Sequence, residues 1–292
     1  TAWRLIRSGS EIELVLDEGI IAAGGAEKPI EELEVELKRG EPRAIFDLAR
    51  QIGRTVALRI GVLSKAERGF ALADGALDKA RKSEPIGIDR DMKVADAFAA
   101  IVNSCLRQFR LNQPLVAERR HPKALHQARV AMRRLRSAFS LFGPAVRDEA
   151  GERLREELRW FTGQLGDARN LDVLLQRLGD AGLSDEDRTA LEAARGQAYD
   201  GVLAALDSQR LRDLMIDLVA WLALGDWREG KAAGSPILAF AVRRIVRRHL
   251  GGKLVPVTAP VTELRLDLDL GVLGLGEHDA LGRVLGRAHH AA

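Results

Sequence analysis

Two short stretches near the start of the chain alternate strictly between polar and apolar residues. They are residues 10–17, SEIELVLD, and residues 32–38, ELEVELK. A period of two places successive side chains on opposite faces of an extended chain, so each stretch predicts a half-buried β-strand. The glycines expected to supply turns around them are Gly19, Gly24 and Gly25.

The pattern after these strands changes from helix to strand and then to a polar segment. Residues 41–52 have helical spacing, with Pro42 near the first turn and Gly53 just after the last. Residues 56–62 again resemble a strand. We therefore assign residues 1–75 to a first, mainly β domain, and the segment 76–90, which Gly and Pro interrupt, to a linker.

Beyond the linker, apolar residues recur at helical spacing up to about residue 250. Residues 91–292 are accordingly expected to form an all-α bundle, and the whole chain is predicted to be α+β. The candidate helices cover residues 93–110, 121–142, 146–179, 184–207, 209–224 and 236–250.

The most informative stretch is the second of these helices. Residues 119–147 contain no Asp or Glu but include eight Lys or Arg. At about 100° per residue, one stripe roughly 80° wide carries His126, Arg129, Arg133 and Arg136. The neighbouring arc is apolar, so the stripe borders the buried side of the helix.

A row of cations in this position has two explanations. The first is a bound polyanion, because arginines spaced three and four residues apart present a planar fork at each helical turn of about 5.4 Å, and phosphate oxygens accept bidentate hydrogen bonds from such forks. The second is that Arg129 and Arg133 pair with carboxylates of neighbouring helices, such as Glu156, Asp167 or Asp172.

His126 has several possible roles on this stripe. It is a neutral core histidine, a helix-packing group, or a phosphate donor whose charge depends on pH, and we favour the last. Metal ligation is not expected, because no Cys or acidic residue lies three or four positions away.

A second basic cluster occurs in the segment AVRRIVRRH. Residues 230–262 contain no acidic residue, and like charges at i and i+4 repel each other on an isolated helix, so the cluster suggests an anionic ligand. Arg243 and Arg247 are the better candidates. For Arg244 and Arg248 a solvated surface is an equal alternative.

Composition narrows the class of protein. With 46% apolar and 30% charged residues, 292 residues can bury two domain cores. The formal net charge is only +3, so the basic stripe is a local feature. One cysteine, and the lack of a signal peptide or an apolar run of about 18 residues, predict a cytoplasmic protein without membrane insertion. Aromatic residues make up 4% of the chain and none lies on the stripe, so nucleic acid is not the expected partner.

The segments LHQARVAMRRLRSAFSLFGP and WFTGQLGDARNLDVLLQRL resemble the first half of a CHAD domain, the conserved-histidine α-helical domain, over about residues 90–250. Its recurrent features are a His-x-x-Arg-x-x-x-Arg helix and a Leu-Gly-x-x-Arg-x-x-Asp segment. The matching positions are His126, Arg129, Arg133, Arg136, Arg169 and Asp172. The resemblance implies helical bundles in two pseudo-symmetric halves, lined with basic residues that bind inorganic polyphosphate and needing no cofactor. After about residue 250 the Gly-rich tail departs from the pattern.

The predicted polyphosphate-binding residues follow from the stripe, the resemblance and the second cluster. They are Lys123, His126, Arg129, Arg133, Arg134, Arg136, Arg169, Arg243 and Arg247.

The first seventy residues resemble the later part of a CYTH domain, the antiparallel β tunnel of triphosphate-hydrolysing enzymes, in GSEIELVLDEG, ELEVELKRG and RIGVLSKAERGF. The resemblance implies a partial tunnel or barrel whose inward carboxylates hold Mg²⁺ or Mn²⁺, with basic residues for the phosphate charge. The expected metal ligands are Glu11, Glu13, Glu34 and Glu36, and the expected triphosphate-binding residues are Lys38, Arg59, Lys65 and Arg68. The same alternation also fits a sheet with one solvated face.

Three functions are consistent with these features. The favoured one is an inorganic polyphosphate-binding protein in which a basic helical bundle is attached to a triphosphate-tunnel domain, in the cytoplasm and in association with polyphosphate granules. The second is a metal-dependent inorganic triphosphatase. We expect little or no such activity, because this chain lacks the Glu-x-Glu-x-Lys strand with which CYTH enzymes begin. The third is a nucleic-acid-binding helical module.

Overall fold

The computed structural model describes residues 1–89, 91–179, 184–230 and 233–234, and the backbone of residues 263–268. These residues form two compact units. The first contains Thr1–Asp78, Gln209–Gly225 and the strand Glu263–Leu268, and the second contains Lys79–Ser208 together with residues 226–230 and 233–234. The first unit therefore includes two segments from the range that the sequence assigned to the helical domain.

The first unit is built on an antiparallel sheet of five strands. They are β1 (Ala2–Arg7), β2 (Ser10–Ala23), β3 (Ala26–Arg39), β4 (Leu58–Ile60) and β5 (Glu263–Leu268), in the spatial order β1-β2-β3-β5-β4. The predicted strands 10–17 and 32–38 lie within β2 and β3, which are longer. Gly24 and Gly25 have positive φ angles and form the turn between them.

The apolar side of the alternation forms the core of this unit. Ile12, Leu14, Leu33 and Val35 are fully buried, and two helices, α1 (Arg43–Gly53) and α8 (Gln209–Leu224), contribute to the same cluster. Among the described residues the sheet is not closed into a barrel, because β1 and β4 are its two edges. The predicted tunnel is therefore wrong for the described residues. They form an open sheet whose apolar face is covered by helices.

One local prediction in this unit was wrong, and one helix was not predicted at all. Gly19 is not in a turn but lies within β2, paired with Ile30, because the β2–β3 ladder continues beyond the alternating stretch. The helix α2 (Lys65–Ala73) had not been predicted. Its start is fixed by a capping box in which the Ser64 side chain accepts from the Glu67 backbone and the Glu67 side chain accepts from the Ser64 backbone.

The described part of the second unit is helical, as predicted. Its helices are α3 (Val94–Arg119), α4 (Pro122–Val146), α5 (Glu149–Gln164), α6 (Gly166–Leu178) and α7 (Asp185–Leu206), followed by a short 3₁₀ helix (Asp226–Glu229). The predicted helix 146–179 is two helices that break at Leu165, next to Gly166. The predicted helix 236–250 lies outside the described residues. No helix in the described parts of the chain is long and apolar enough to cross a membrane.

An aromatic cluster fixes α4 against α3. Phe98 of α3 makes edge-to-face contacts with Phe139 of α4 and with Trp227, at ring-centroid distances of 5.5 Å each. Phe142 lies at 5.3 Å from the same ring. Because these groups occupy the apolar arc of α4, the adjoining basic stripe stays at the edge of the core.

Candidate anion-binding site

The start of α4 is defined by capping. His121 precedes the helix and its Nδ1 atom accepts a hydrogen bond of 3.3 Å from the Ala124 amide, while Pro122 occupies the first turn. Leu125 and Met132 are fully buried on the apolar arc of α4. The helical period then brings the predicted stripe to one side of this arc.

The structure brings five of the predicted cationic or ionisable residues into one region. His126 and Arg129 are half-buried, Arg133 and Arg136 are exposed, and Arg169 of α6 is half-buried. The charges of Arg169, Arg129 and Arg133 lie close enough to His126 to lower its pKa. We call His126, Arg129, Arg133 and Arg169 the His126 cluster.

The arginines of this cluster are not neutralised by carboxylates. Among the described residues, Arg129, Arg133 and Arg169 make no hydrogen bond or ion pair. The Nε atom of Arg129 is buried and has no hydrogen-bond partner. Leaving a buried donor unsatisfied costs about 1–3 kcal/mol, more for a charged group, so the arrangement is one that an anionic ligand would relieve. The alternative in which Arg129 and Arg133 pair with neighbouring carboxylates is not what the structure shows.

The pKa of His126 reflects these neighbours. Burial lowers it below the ordinary value of 6.5, and the charges of Arg169, Arg129 and Arg133 lower it further. His126 is therefore neutral at neutral pH in the free protein. The part of this shift that comes from the three arginines reflects the positive charge that they place near His126.

Two further arginines, which the sequence analysis missed, lie beside the stripe. A groove of about 880 Å³ is lined by Arg133, Arg134 and Arg136 of α4 and by Arg155 and Arg159 of α5. Arg155 and Arg159 are one helical turn apart in the sequence, which is a detectable signal. Their position beside α4 depends on tertiary packing, which no local pattern gives.

Arg134 is held by a buried amide. Its guanidinium donates a 2.9 Å hydrogen bond to the Gln108 side chain, and the amide nitrogen of Gln108 donates at 2.9 Å to Gln127. Gln108 belongs to α3 and is 2% exposed. Gln108 was not among the residues predicted from the sequence.

Asp172, which matches the family motif, is hydrogen-bonded to two residues of the next helix. It accepts hydrogen bonds from Arg195 Nε at 2.8 Å and from the Tyr199 hydroxyl at 2.9 Å, both on α7. Burial and the Asp172 charge raise the pKa of Tyr199. Asp172 is itself 6% exposed, and through these two hydrogen bonds it joins α6 to α7.

We predict that Asp172→Ala lowers the free energy of unfolding of the second unit by about 2–4 kcal/mol, because it leaves Arg195 and Tyr199 without their buried acceptor. Asp167→Ala is the matched control, since Asp167 is exposed on the same helix. Denaturant unfolding would measure both variants. A variant that keeps wild-type stability but loses ligand binding would give Asp172 a direct role in the site instead.

The remaining predicted residues of the bundle are not in this cluster. Lys123 is exposed in the first turn of α4, and Arg243 and Arg247 lie outside the described residues.

In the first unit, the predicted carboxylates are engaged by basic side chains on the polar face of the sheet. Lys38 contacts Glu13 at 2.8 Å and Glu36 at 2.9 Å, and these hydrogen bonds raise the pKa of Lys38. Arg4 contacts Glu11.

The helix α2 supplies further cations to this face. Lys65 contacts Asp17 at 2.6 Å and Glu34 at 2.8 Å. Arg68 lies 3.2 Å from Glu32, which is fully buried. Arg59 is on β4, opposite Asp267 of β5 in the ladder.

These pairings do not present a metal centre. Over residues 1–89, 91–179, 184–230 and 233–234, no group of three or more His, Cys, Asp or Glu side chains is arranged to hold a metal ion. Each of the four carboxylates predicted as ligands contacts an ammonium or guanidinium group instead.

The second unit is thus a helical bundle in which the arginines of the His126 cluster have no carboxylate partner among the described residues. The family model of the CHAD domain matches residues 100–264, and the chain belongs to the CHAD domain family.

Two known proteins are similar to parts of this chain. The crystal structure of the CHAD domain from the plant Ricinus communis aligns with a TM-score of 0.51 and 27% identity, over 58% of this chain and 58% of that chain. An inorganic triphosphatase of Haemophilus influenzae is 38% identical over 72 residues, which are 25% of this chain and 20% of that protein. The chain therefore spans less than two thirds of each of these relatives.

Proposed function

We propose that the helical bundle binds inorganic polyphosphate, or another condensed phosphate, through the His126 cluster and Arg136. The observation that carries this proposal is the set of arginines without carboxylate partners among the described residues, above all Arg129 with its buried, unsatisfied Nε. A ligand with negatively charged oxygens would give these arginines the hydrogen-bond acceptors that the described residues do not provide.

The chemistry of the ligand follows from the repeat of the site. Each unit of a phosphate chain carries about one negative charge and presents oxygens that a guanidinium fork binds in pairs. Arginines on one helical stripe recur about every 5.4 Å, which suits a ligand whose charges also recur. A single carboxylate would satisfy one arginine and leave the others unpaired.

A nucleic acid is the weaker candidate for the same surface. Binders of single strands usually stack bases on aromatic rings between basic groups. The stripe of α4 has no aromatic residue at His126, Arg129, Arg133 or Arg136. Polyphosphate has no base to stack, so it needs only the cations.

The proposal is tested by titrating the full chain with long-chain polyphosphate in a chelator, and with duplex DNA at the same phosphate concentration. We expect saturable binding of polyphosphate without divalent metal and markedly weaker binding of DNA. Equal affinity for the two ligands would refute polyphosphate recognition.

Binding should also take up a proton. A polyanion beside His126 adds negative charge and raises its pKa from the lowered value of the free protein. Affinity should therefore increase as pH falls through the pKa of the bound form, by roughly threefold to tenfold, since one pKa unit corresponds to about a factor of ten. Titrations at several pH values would measure this effect. His126→Gln should remove most of it, and an unchanged pH profile in that variant would show that His126 does not contact the ligand.

The stability of the free protein should depend on pH in the opposite direction. The pKa of His126 is lower in the folded state, so the unfolded chain takes up the proton first. The contribution of neutral His126 to folding is present above the ordinary pKa of 6.5 and is lost as pH falls toward the lowered pKa. Ligand binding and folding thus depend on pH with opposite signs.

A second candidate function, inorganic triphosphatase activity with Mg²⁺ or Mn²⁺, comes from the similarity to the Haemophilus influenzae enzyme. A CYTH-like first unit is part of this candidate, with Glu11, Glu13, Glu34 and Glu36 facing the metal and Lys38, Arg59, Lys65 and Arg68 facing the phosphates. Metal would have to displace Lys38 and Lys65 from their carboxylates. Phosphate release from tripolyphosphate, with and without each metal, tests it.

A further inference from the structure

The groove between α4 and α5 has an unusual charge distribution. All of its charged lining residues in the described chain are arginines: Arg133, Arg134, Arg136, Arg155 and Arg159. Its volume of about 880 Å³ lies within the range of small-ligand sites, which is about 300–1,000 Å³. No acidic side chain of the described residues lines it.

The two arginines of α5 are poorly compensated. Arg159 is exposed and has no hydrogen bond or ion pair within the described residues. Arg155 has one contact, at 3.5 Å from Glu152. Like charges one turn apart on a helix repel each other, and an anion between or beside the two arginines would relieve that repulsion.

The arrangement of Arg134 adds an independent observation. Arg134 is one of the residues that line the groove, and its guanidinium donates a 2.9 Å hydrogen bond to Gln108, a buried neutral acceptor. A glutamate at this position would make a stronger hydrogen bond but would cancel the charge. A glutamine fixes the guanidinium and leaves its positive charge available. The Nε atom of Arg134 is also buried without a partner.

We propose that this groove is a second subsite for the condensed phosphate chain, in which Arg155 and Arg159 bind the ligand and Gln108 is a positioning residue for Arg134. The inference rests on the proposed function. Arg133 belongs to both sites, because it lies beside His126 and also lines the groove. One long phosphate chain can therefore contact both, whereas a short oligophosphate occupies one at a time.

Two linked subsites predict a dependence on chain length. When a ligand held at the His126 cluster reaches the groove, the second contact is intramolecular and raises the overall affinity. The double variant Arg155→Ala/Arg159→Ala should weaken long-chain binding by roughly tenfold or more, on the scale of charge-assisted hydrogen bonds. Tripolyphosphate should still bind at the His126 cluster, so its affinity for the double variant should fall far less.

Arg153→Ala is the matched control for these variants. Arg153 lies on the same helix α5, but it pairs with Glu149 at 2.6 Å and does not line the groove. All variants are measured in the full chain, with thermal unfolding to verify the fold. Exposed Arg159 is replaceable without loss of core packing, so Arg159→Ala alone provides a folded test if the double variant is unstable.

The role of Gln108 is tested by Gln108→Glu. The glutamate can still accept from Arg134, and Gln127 can rotate its amide to donate, so a purely structural residue would tolerate the change. We expect long-chain affinity to fall about tenfold while the unfolding temperature is kept, because a carboxylate neutralises Arg134. The salt dependence of binding should also become shallower. Unchanged affinity and an unchanged salt dependence would remove Gln108 from the site.

The experiment separates this inference from the proposed function. If the wild-type chain does not bind long-chain polyphosphate, the proposed function fails. If it binds, and Arg129→Ala weakens it while the Arg155/Arg159 variants behave like Arg153→Ala, only the second subsite is wrong. Selective loss of long-chain affinity in the groove variants supports both.

Discussion

The affinity for polyphosphate should fall steeply with salt. Each cation that contacts a phosphate releases a condensed counterion from the ligand, and by analogy with single-stranded nucleic acids the slope of log K against log salt is about −0.7 for each contact. With about six contacts, raising the salt from about 50 to about 200 mM should weaken binding by roughly 300-fold. This is the largest effect that we expect.

The salt titration requires two controls. Magnesium and other divalent ions must be chelated, because they would neutralise the ligand themselves, and unfolding must be followed at each salt concentration to show that the protein stays folded. An affinity that does not change with salt would mean that the ligand is not held by the unpaired arginines.

The second large effect is expected from the double variant Arg129→Ala/Arg133→Ala. Each substitution removes a charge-assisted donor and should weaken long-chain binding by about 1–3 kcal/mol, which is roughly 5-fold to 150-fold. The two residues lie on one stripe around His126, so their effects need not add. Calorimetric titration of the single and double variants would separate the contributions.

The stability of these variants should change little or increase. Arg129 and Arg133 have no carboxylate partner among the described residues, and both lower the pKa of His126 through like-charge repulsion. Because Arg129 and Arg133 are one helical turn apart, replacing them also removes the repulsion between their own charges. Arg153→Ala again serves as control for loss of a surface arginine. Variants that unfold while retaining polyphosphate affinity would make these arginines structural.

Local patterns were sufficient to predict much of the fold. The alternation of Ser10 to Asp17 placed Ile12 and Leu14 on one face, and both are buried, because a strand with a half-buried face has a period of two. The helix α4 was predicted within a few residues, since its apolar arc is wide and continuous. Closure of the sheet could not be predicted, because alternation gives faces and not the edges of a sheet.

The site was only partly predictable for the same reason. The stripe of α4 follows from helical spacing alone, and Arg169 was found through its motif. Arg155, Arg159 and Gln108 were missed because their relation to Arg134 depends on how α3, α4 and α5 pack. A buried glutamine in a helical pattern is indistinguishable from an ordinary polar residue until the helices are placed together.

The contacts on the polar face of the sheet also could not be predicted from the sequence. Alternation and the CYTH resemblance identified Glu34, and the resemblance alone identified Lys65, but whether they bind a ligand or each other depends on the position of α2, which was not predicted. In the structure they are 2.8 Å apart. Residue type and alternation fit both outcomes.

The most direct test of polyphosphate binding by α4 is the NMR signal of the Arg129 Nε–H group, assigned by its absence in Arg129→Lys. This donor is buried and unsatisfied in the free protein, so it should form a hydrogen bond when a phosphate oxygen arrives. Titration with long-chain polyphosphate in a chelator should shift the signal in a saturable way that follows the binding curve. A signal that stays unchanged while polyphosphate binds would contradict the assignment of the site to the His126 cluster.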